Sequence, residues 1–568
     1  MNQESFFKNF QLLVDAHNGV QKLRELILQM AIHGNLITQD LNEESVFKQL
    51  EKIKSDKNQL IQKRKLKLRN ISENNDVNIL KYKIPSNWCW FRLPEVVFFQ
   101  EGPGIRNWQF KSHGIKLLNV QNILPNNKTL FEKSDKYVSE EEVNEKYEHF
   151  LIEEGDLLFA ASGGSWGKSA WFYDPGYKIM LNTSTIRLKF FSDEFEPNYL
   201  KYFLDSSFFK KQMELQLVGM QPNFGSTHLG RVYIPIPPLE EQKRIVAKAD
   251  QLMAHCDQLE ARQQKKYEQR ILLNNAALDK LLTAPTPEEF AQHWQRICDN
   301  FDLLYGTPET VGQLRQAILQ LAVQGKLVAQ DIGDEPASVL LEKIEAEKNQ
   351  LVKEKKIKRI RSLPQIDPQQ IPYELPYNWE WVRLGDVGHD CGQKKPDKKF
   401  TYIDVSAINK EQGVISENVD IIEPSEAPSR ARKLVSKGSV IYATVRPYLL
   451  NIAIIDKHFK PEPIVSTAFA VLHPYSGILN KYLYYYLRSK PFITYVESEM
   501  IGMAYPAIND GKLYKGLVPI PPLQEQKRIV AKVDQLMALC DELEAGLVQA
   551  QTEGGKLMEA VVHHVLAG

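Results

Sequence analysis

Two stretches of the chain gather side chains whose chemistry is multiple hydrogen-bond donation from cationic or amide heads. Arg106, Asn107, Trp108, Gln109 and Lys111 follow a Gly-Pro-Gly turn, and Gln393, Lys394, Lys395, Lys398 and Lys399 hold the matching place further on. Arginine and lysine suit the paired acceptors on the edge of guanine, while asparagine and glutamine suit adenine. Other loops have the same character. Ser165, Trp166 and Lys168 lie in the turn SGGSWGKSA, and Gln221 and Asn223 in GMQPNFGSTH. In the later stretch Arg446 and Tyr448 follow SVIYATV, and Tyr505 and Asn509 lie in GMAYPAIND. All are candidates for contacting DNA; for any one of them, a solvated surface loop is the competing reading.

Signatures of catalysis are missing from the sequence. The loop around Ser162 fails the phosphate-cradling pattern G-x-x-x-x-G-K-[ST], which needs glycine where Ser162 stands and a helix after Ser169. No Asn-Pro-Pro-aromatic or Asp-Pro-Pro-aromatic tetrapeptide is present to receive a flipped base, and no glycine-rich cofactor loop follows a strand. Pro396-Asp397 precedes lysines without the Glu-x-Lys partner of a metal-dependent nuclease. Five scattered cysteines (Cys89, Cys256, Cys298, Cys391, Cys540) never form Cys-x-x-Cys, which argues against a disulfide framework or a zinc site. The chain reads as non-catalytic, with no cofactor or metal of its own.

Charge is balanced, 71 basic against 71 acidic residues, whereas a solitary DNA binder usually carries a basic excess. Any nucleic-acid contact therefore relies on local patches or on partners. Two basic runs could supply phosphate contacts: Lys63, Arg64, Lys65, Lys67 and Arg69, and Lys353, Lys355, Lys356, Lys358, Arg359 and Arg361. A solvated helix end is the plainer reading of both. No apolar stretch approaches the roughly 18–20 residues of a membrane span, and the amino terminus lacks a signal-peptide pattern, so a cytoplasmic protein is expected.

These loops must be held by something, and the chain is written twice. LEEQKRIVAKADQLMAHCDQLEA from Leu239 returns from Leu523 as LQEQKRIVAKVDQLMALCDELEA, and VQKLRELILQMAIHGNLITQD from Val20 returns from Val311 as VGQLRQAILQLAVQGKLVAQD. Between these blocks identity collapses, but landmarks survive. IPSNWCWFRL at Ile84 answers LPYNWEWVRL at Leu375, EEGDLLFA at Glu153 answers SKGSVIYA at Ser436, and YLKYFL at Tyr199 answers YLYYYL at Tyr482. A common frame holds two unlike inserts.

After Pro237-Pro238 the apolar residues Ile245, Ala249, Leu252, Cys256 and Leu259 step by heptad spacing, and Ile529, Val533, Leu536, Cys540 and Leu543 repeat the step after Pro521-Pro522. Each seam marks a helix of about 45 residues, roughly 65 Å long, and the simplest burial is seam against seam. Helical hairpins precede each insert, and each insert mixes short β-branched and aromatic runs with short helices, an α/β pattern. The domain plan is a helical region 1–80, an insert 81–236, a central helical region 237–370 (long helix 239–283, hairpin 311–361), a second insert 371–520 and a long helix 521–568. The predicted fold is thus two pseudo-twofold-related α/β domains separated by a long antiparallel two-helix coiled coil, with hairpins before each domain.

This arrangement resembles the specificity subunit of type I restriction-modification enzymes over essentially the whole chain. The motifs that carry the likeness are P-x-P-P-L-x-E-Q-K-R-I-V after each insert, N-W-x-W-x-x-L before it, the glycine-hydrophobic centre and the G-M-x-P-type loop. The resemblance implies that each insert is a target-recognition domain reading one half of a bipartite, asymmetric double-stranded DNA target, with the paired helices fixing the gap. It also implies partners: two modification subunits that bring S-adenosylmethionine, and restriction subunits that use ATP and Mg for translocation and cleavage. A coiled-coil scaffold without sequence-specific DNA binding is the alternative.

Overall fold

A computed structural model describes residues 14–16, 18–40, 42–64, 83–125, 127–133, 135–217, 222–357, 363–417, 419–502 and 505–567. Two compact units divide it: residues 1–265 with 550–568, and residues 266–549. The first unit thus takes the end of the second long helix (Leu523–Ala567), and the second unit takes the end of the first (Leu239–Leu282).

Each unit holds one α/β head. In the first, the strands Val97–Glu101, Thr185–Phe190, Leu157–Ala160 and Ser169–Trp171 form an antiparallel sheet in that order. A smaller mixed sheet sets Ile115–Leu118 between Tyr137–Val138 and Ile179–Leu181, the last pairing parallel. The second head repeats the plan, with Gly388–His389, Phe469–Pro474, Val440–Ala443 and Ile452–Ile454 in one sheet. Its mixed sheet, Asp420–Ile422, Phe400–Ile403, Pro463–Ser466 and Ala431–Leu434, gains a fourth strand where the first head has only an isolated bridge, Leu151 to Met180.

The start and end of each insert are zipped together. Cys89–Arg92 pairs antiparallel with Tyr233–Ile236, and Glu380–Arg383 with Leu517–Ile520, so the chain enters a head and leaves it, straight into a long helix, at one place. The motif repeated there is a buried polar clamp. Trp88 Nε1 donates to Glu241 Oε1 at 2.9 Å, and Trp379 Nε1 to Glu525 Oε2 at the same distance. Gln242 Oε1 accepts from Glu196 N while its Nε2 donates to Pro237 O; Gln526 does the same with Leu479 N and Pro521 O. Burial pushes the Glu241 and Glu525 carboxyls up, against the lowering effect of the donors that face them. Such many-partnered buried groups tolerate little substitution, which explains why the two copies kept these residues.

Within each unit the heptad seam packs on the leading helix. In the first unit Ala249, Leu252, Cys256 and Leu259 pack with Val20, Leu23 and Ile27 of the helix Gly19–Ile32, while Ile245 joins the core of the head. Arg24 locks the contact through Asp257 and Glu260. In the second unit Ile529, Val533, Leu536, Cys540 and Leu543 share a core with Val311, Leu314 and Ile318 of Pro308–Val323, and Arg315 binds Asp541 and Glu544. Leu543 of the second seam also shares a cluster with Leu278 and Leu281 near the end of the first long helix, so the two long helices meet within the second unit. The short leading helix carries an apolar stripe of matching width and an arginine placed for the acidic flank, so it takes the seam first.

Antiparallel long helices are nevertheless visible inside the second unit. Pro308–Val323 follows the direction of the first long helix, with Gln313 bound to Asn274 and Lys326 to the Leu282 carbonyl. It opposes the second, with Arg315 at Asp541 and Gln330 at Glu525. Beyond Leu282 a further helix, Pro287–Asp299, begins with Thr286 as its cap and proline in its first turn.

Candidate nucleic-acid interface

Four loops of the first head meet at one end of its main sheet. Ala161 N donates to Ser184 O, Gly102 N to Thr185 O, Gly163 N to Pro222 O, and Ser162 bridges Asn223. Thr183 Oγ1 reaches Pro103 O at 3.0 Å, and the Glu101 carboxylate accepts from Ser226 N. The structure thus brings Ser165, Trp166 and Lys168 beside Asn223, although they lie far apart in the chain. Gln221 falls outside the described residues.

Not every candidate there is presented to solvent. Arg106, Asn107, Trp108 and Lys111 are exposed, with Trp108 at 75%. Gln109 is buried, because its Oε1 accepts from Arg106 N and its Nε2 donates to Glu142 Oε1 at 2.6 Å; it builds the turn that displays its neighbours. Trp166 packs on Phe224 at 4.9 Å between ring centroids and joins the head's core, and Lys168 Nζ donates to Ser165 Oγ at 3.2 Å. Gln109 therefore braces the turn, its amide satisfied inward by one backbone and two side-chain partners, while Trp166 is half-buried with one side against the core.

The second head closes the same loops with the same bonds. Arg446 N donates to Pro506 O at 2.8 Å and Val445 bridges Ala507, matching Gly163 with Pro222 and Ser162 with Asn223. The turn hydrogen bonds also correspond, Trp166 N to Gly163 O and Leu449 N to Arg446 O. Arg446 (φ 49°) and Leu450 (φ 52°) are left-handed, and the matching residues of the first head are Gly163 (φ 64°) and Gly167 (φ 80°). Glycine adopts that conformation freely, whereas other residues are strained in it.

Around this loop Arg446, Tyr448, Tyr505, Val445 and Ile501 are exposed, Tyr505 at 68%, and the Arg446 guanidinium lies 5.0 Å from the centre of the Tyr505 ring. Asn509 is exposed, but its Oδ1 caps the helix Asp510–Tyr514 by accepting from Lys512 N. Gln393, Lys395 and Lys398 are exposed; Lys394 is half-buried and held by Glu462 at 2.5 Å and Asp397 at 3.3 Å. Lys399 pairs with Glu423. Of the two basic runs, Lys63 and Arg64 end a helix, Lys353 ends another and Lys356 pairs with Glu354; the side chains of Lys63 and Arg64, and all of Lys65, Lys67, Arg69, Lys358, Arg359 and Arg361, lie outside what is described.

Sequence reasoning missed Lys433. Its buried ammonium donates to Phe469 O at 2.6 Å and to Asp510, joining the strand behind Gln393 to the loop that carries Tyr505 and Asn509. Its spacing from Ala431 placed both on the inward face of one strand, a signal that strand alternation could have supplied. Among the described residues no group of three or more His, Cys, Asp or Glu side chains could hold a metal, the five cysteines are free thiols, and no helix is long and apolar enough to cross a membrane.

Two heads of one topology, displaying unlike polar loops at equivalent places on a repeated helical frame, define a duplicated recognition protein. The sequence matches the family "Type I restriction modification DNA specificity domain" twice, over residues 85–269 and 376–550. It is 32% identical to the type I restriction enzyme EcoAI specificity subunit of Escherichia coli across 92% of this chain and 90% of that protein. Against the EcoEI specificity subunit of the same organism, identity is 28% across 96% and 94%. The crystal structure of the HsdS subunit from Thermoanaerobacter tengcongensis matches 33% of this chain and 49% of that one, with 39% identity and a TM-score of 0.31. The chain belongs to the type I restriction-modification specificity subunits.

Proposed function

We propose that each head reads one half of a bipartite, asymmetric duplex DNA target and that the antiparallel long helices set the unread gap. The observation that carries this reading is the pairing of an invariant frame with divergent loops: both heads close the same loops with the same backbone bonds, yet Gly163, Ser165 and Trp166 stand where the other has Arg446, Tyr448 and Leu449. A frame that must not change, holding surfaces that must, is the arrangement direct readout requires.

The chain itself is non-catalytic in this reading. Two modification subunits bring S-adenosylmethionine, and restriction subunits supply ATP- and Mg-dependent translocation and cleavage, all in the cytoplasm. A balanced charge of 71 against 71 fits a protein whose partners share the phosphate contacts. The test is to map methylated adenines in the genome of a cell carrying this chain and its modification partner. A split motif with two unlike halves and a constant gap is expected; methylation without such a motif would overturn the reading.

A further inference from the structure

The geometry points to Arg446 as the residue with which the second head reads a guanine, aimed by its strained backbone and by the Tyr505 ring. This inference rests on the DNA-reading function proposed above and names the contact that performs part of it.

The duplication supplies an internal control. Both heads form this loop with the same backbone hydrogen bonds, and both need a left-handed residue at the same two places. The first head fills them with Gly163 and Gly167, and a Cβ built on either meets nothing within 4 Å. The second head tolerates strain at both, with Arg446 and Leu450. Non-glycine residues persist in such conformations where the surroundings hold them and the side chain is put to use. Packing does not explain Arg446, because its side chain is exposed and no ion pair among the described residues engages it.

What holds the side chain is an aromatic face. Tyr505 lies 5.0 Å below the guanidinium, on the loop bonded to Arg446 through Pro506, and Lys433 anchors that loop from behind through Asp510. A cation over an aromatic face is attracted to it, which favours one placement of the exposed guanidinium, and no ion pair among the described residues takes up its N–H donors. The planar fork of a guanidinium matches the O6 and N7 acceptors of guanine. Val445, Tyr448 and Ile501 surround it as an exposed apolar patch, of the kind that marks a contact surface.

The experiment selects bound sequences from a randomised duplex DNA library using the full chain assembled with its modification partner, for wild type, R446G, R446K and Y505A. R446G places in the second head the residue the first head already uses. It should therefore melt no lower than wild type, yet lose preference for one G·C pair of the second half-site by about tenfold or more, with the first half-site unchanged. R446K and Y505A should weaken the same position in part. A wild-type second half-site without guanine, or an R446G motif identical to wild type, overturns the inference while leaving bipartite reading intact. A loss spread over both halves assigns Arg446 a structural role and also overturns it. If wild type selects no split motif, the proposed function fails and this inference fails with it.

Discussion

The two heads solve one folding problem with different buried charges. In the first, Arg187 is buried between sheets and donates to Asp156, Gln100 and the carbonyls of Leu151 and His149. At the matching places the second head has Val471 beside Ser439, and its buried cation has moved to Lys433. Strand order survives the exchange. The difference teaches that topology here is set by apolar alternation and by the shared polar clamp, while the ionic contact inside each head is a local choice that steadies its own loops.

The largest effect is expected from breaking the ionic contact in the first head. Arg187→Met leaves the buried Asp156 carboxylate with the Glu153 N–H at 2.9 Å and Lys189 at 3.4 Å but without its buried cation, a cost of about 3–5 kcal/mol, read as a lowered urea midpoint for unfolding of that head. Arg187→Val with Asp156→Ser, the second head's own residues, should recover much of the loss, since an apolar replacement of a whole buried pair is often near neutral. Recovery of nothing would mean that the heads are not interchangeable in their cores.

Lys433→Met should cost the second head about 2 kcal/mol, less than Arg187 because Asp510 retains access to water. It should also release the loop carrying Tyr505, seen as faster amide exchange at Ile508, whose N–H otherwise binds Thr444 O. The clamp sharpens the comparison from the other side. Trp88→Phe and Trp379→Phe remove the same hydrogen bond to a buried carboxylate and should each cost about 1.5–3 kcal/mol, the two values agreeing closely. Unequal losses would show that the two copies of the frame are not equivalent.

The smallest effect is in pH. Burial, with His389 beside it, holds the His473 imidazole below its ordinary value, whereas the matching residue of the first head is Lys189. A histidine depressed in the fold contributes stability above its unfolded pKa of about 6.5 and loses it as pH falls. The second head should therefore show a modest fall in unfolding midpoint between pH 7 and 5, flattened by His473→Gln.

The repeated blocks, the heptad stripes and the proline pairs ahead of them were enough to place two heads, two long helices and two hairpins, because duplication prints a frame twice and periodicity reports which face is apolar. The turn residues also marked where the chain reverses, since reversal is cheap there. What a side chain in those loops does was beyond that reading. Gln109 and Arg106 look alike in sequence as donors, yet only the fold, by setting Glu142 beside one and solvent around the other, makes the first a brace and leaves the second exposed. The seam of each long helix was likewise legible as a stripe but not its occupant. An apolar stripe is satisfied by any complementary stripe, and only the tertiary structure decided that Gly19–Ile32 and Pro308–Val323 would supply it.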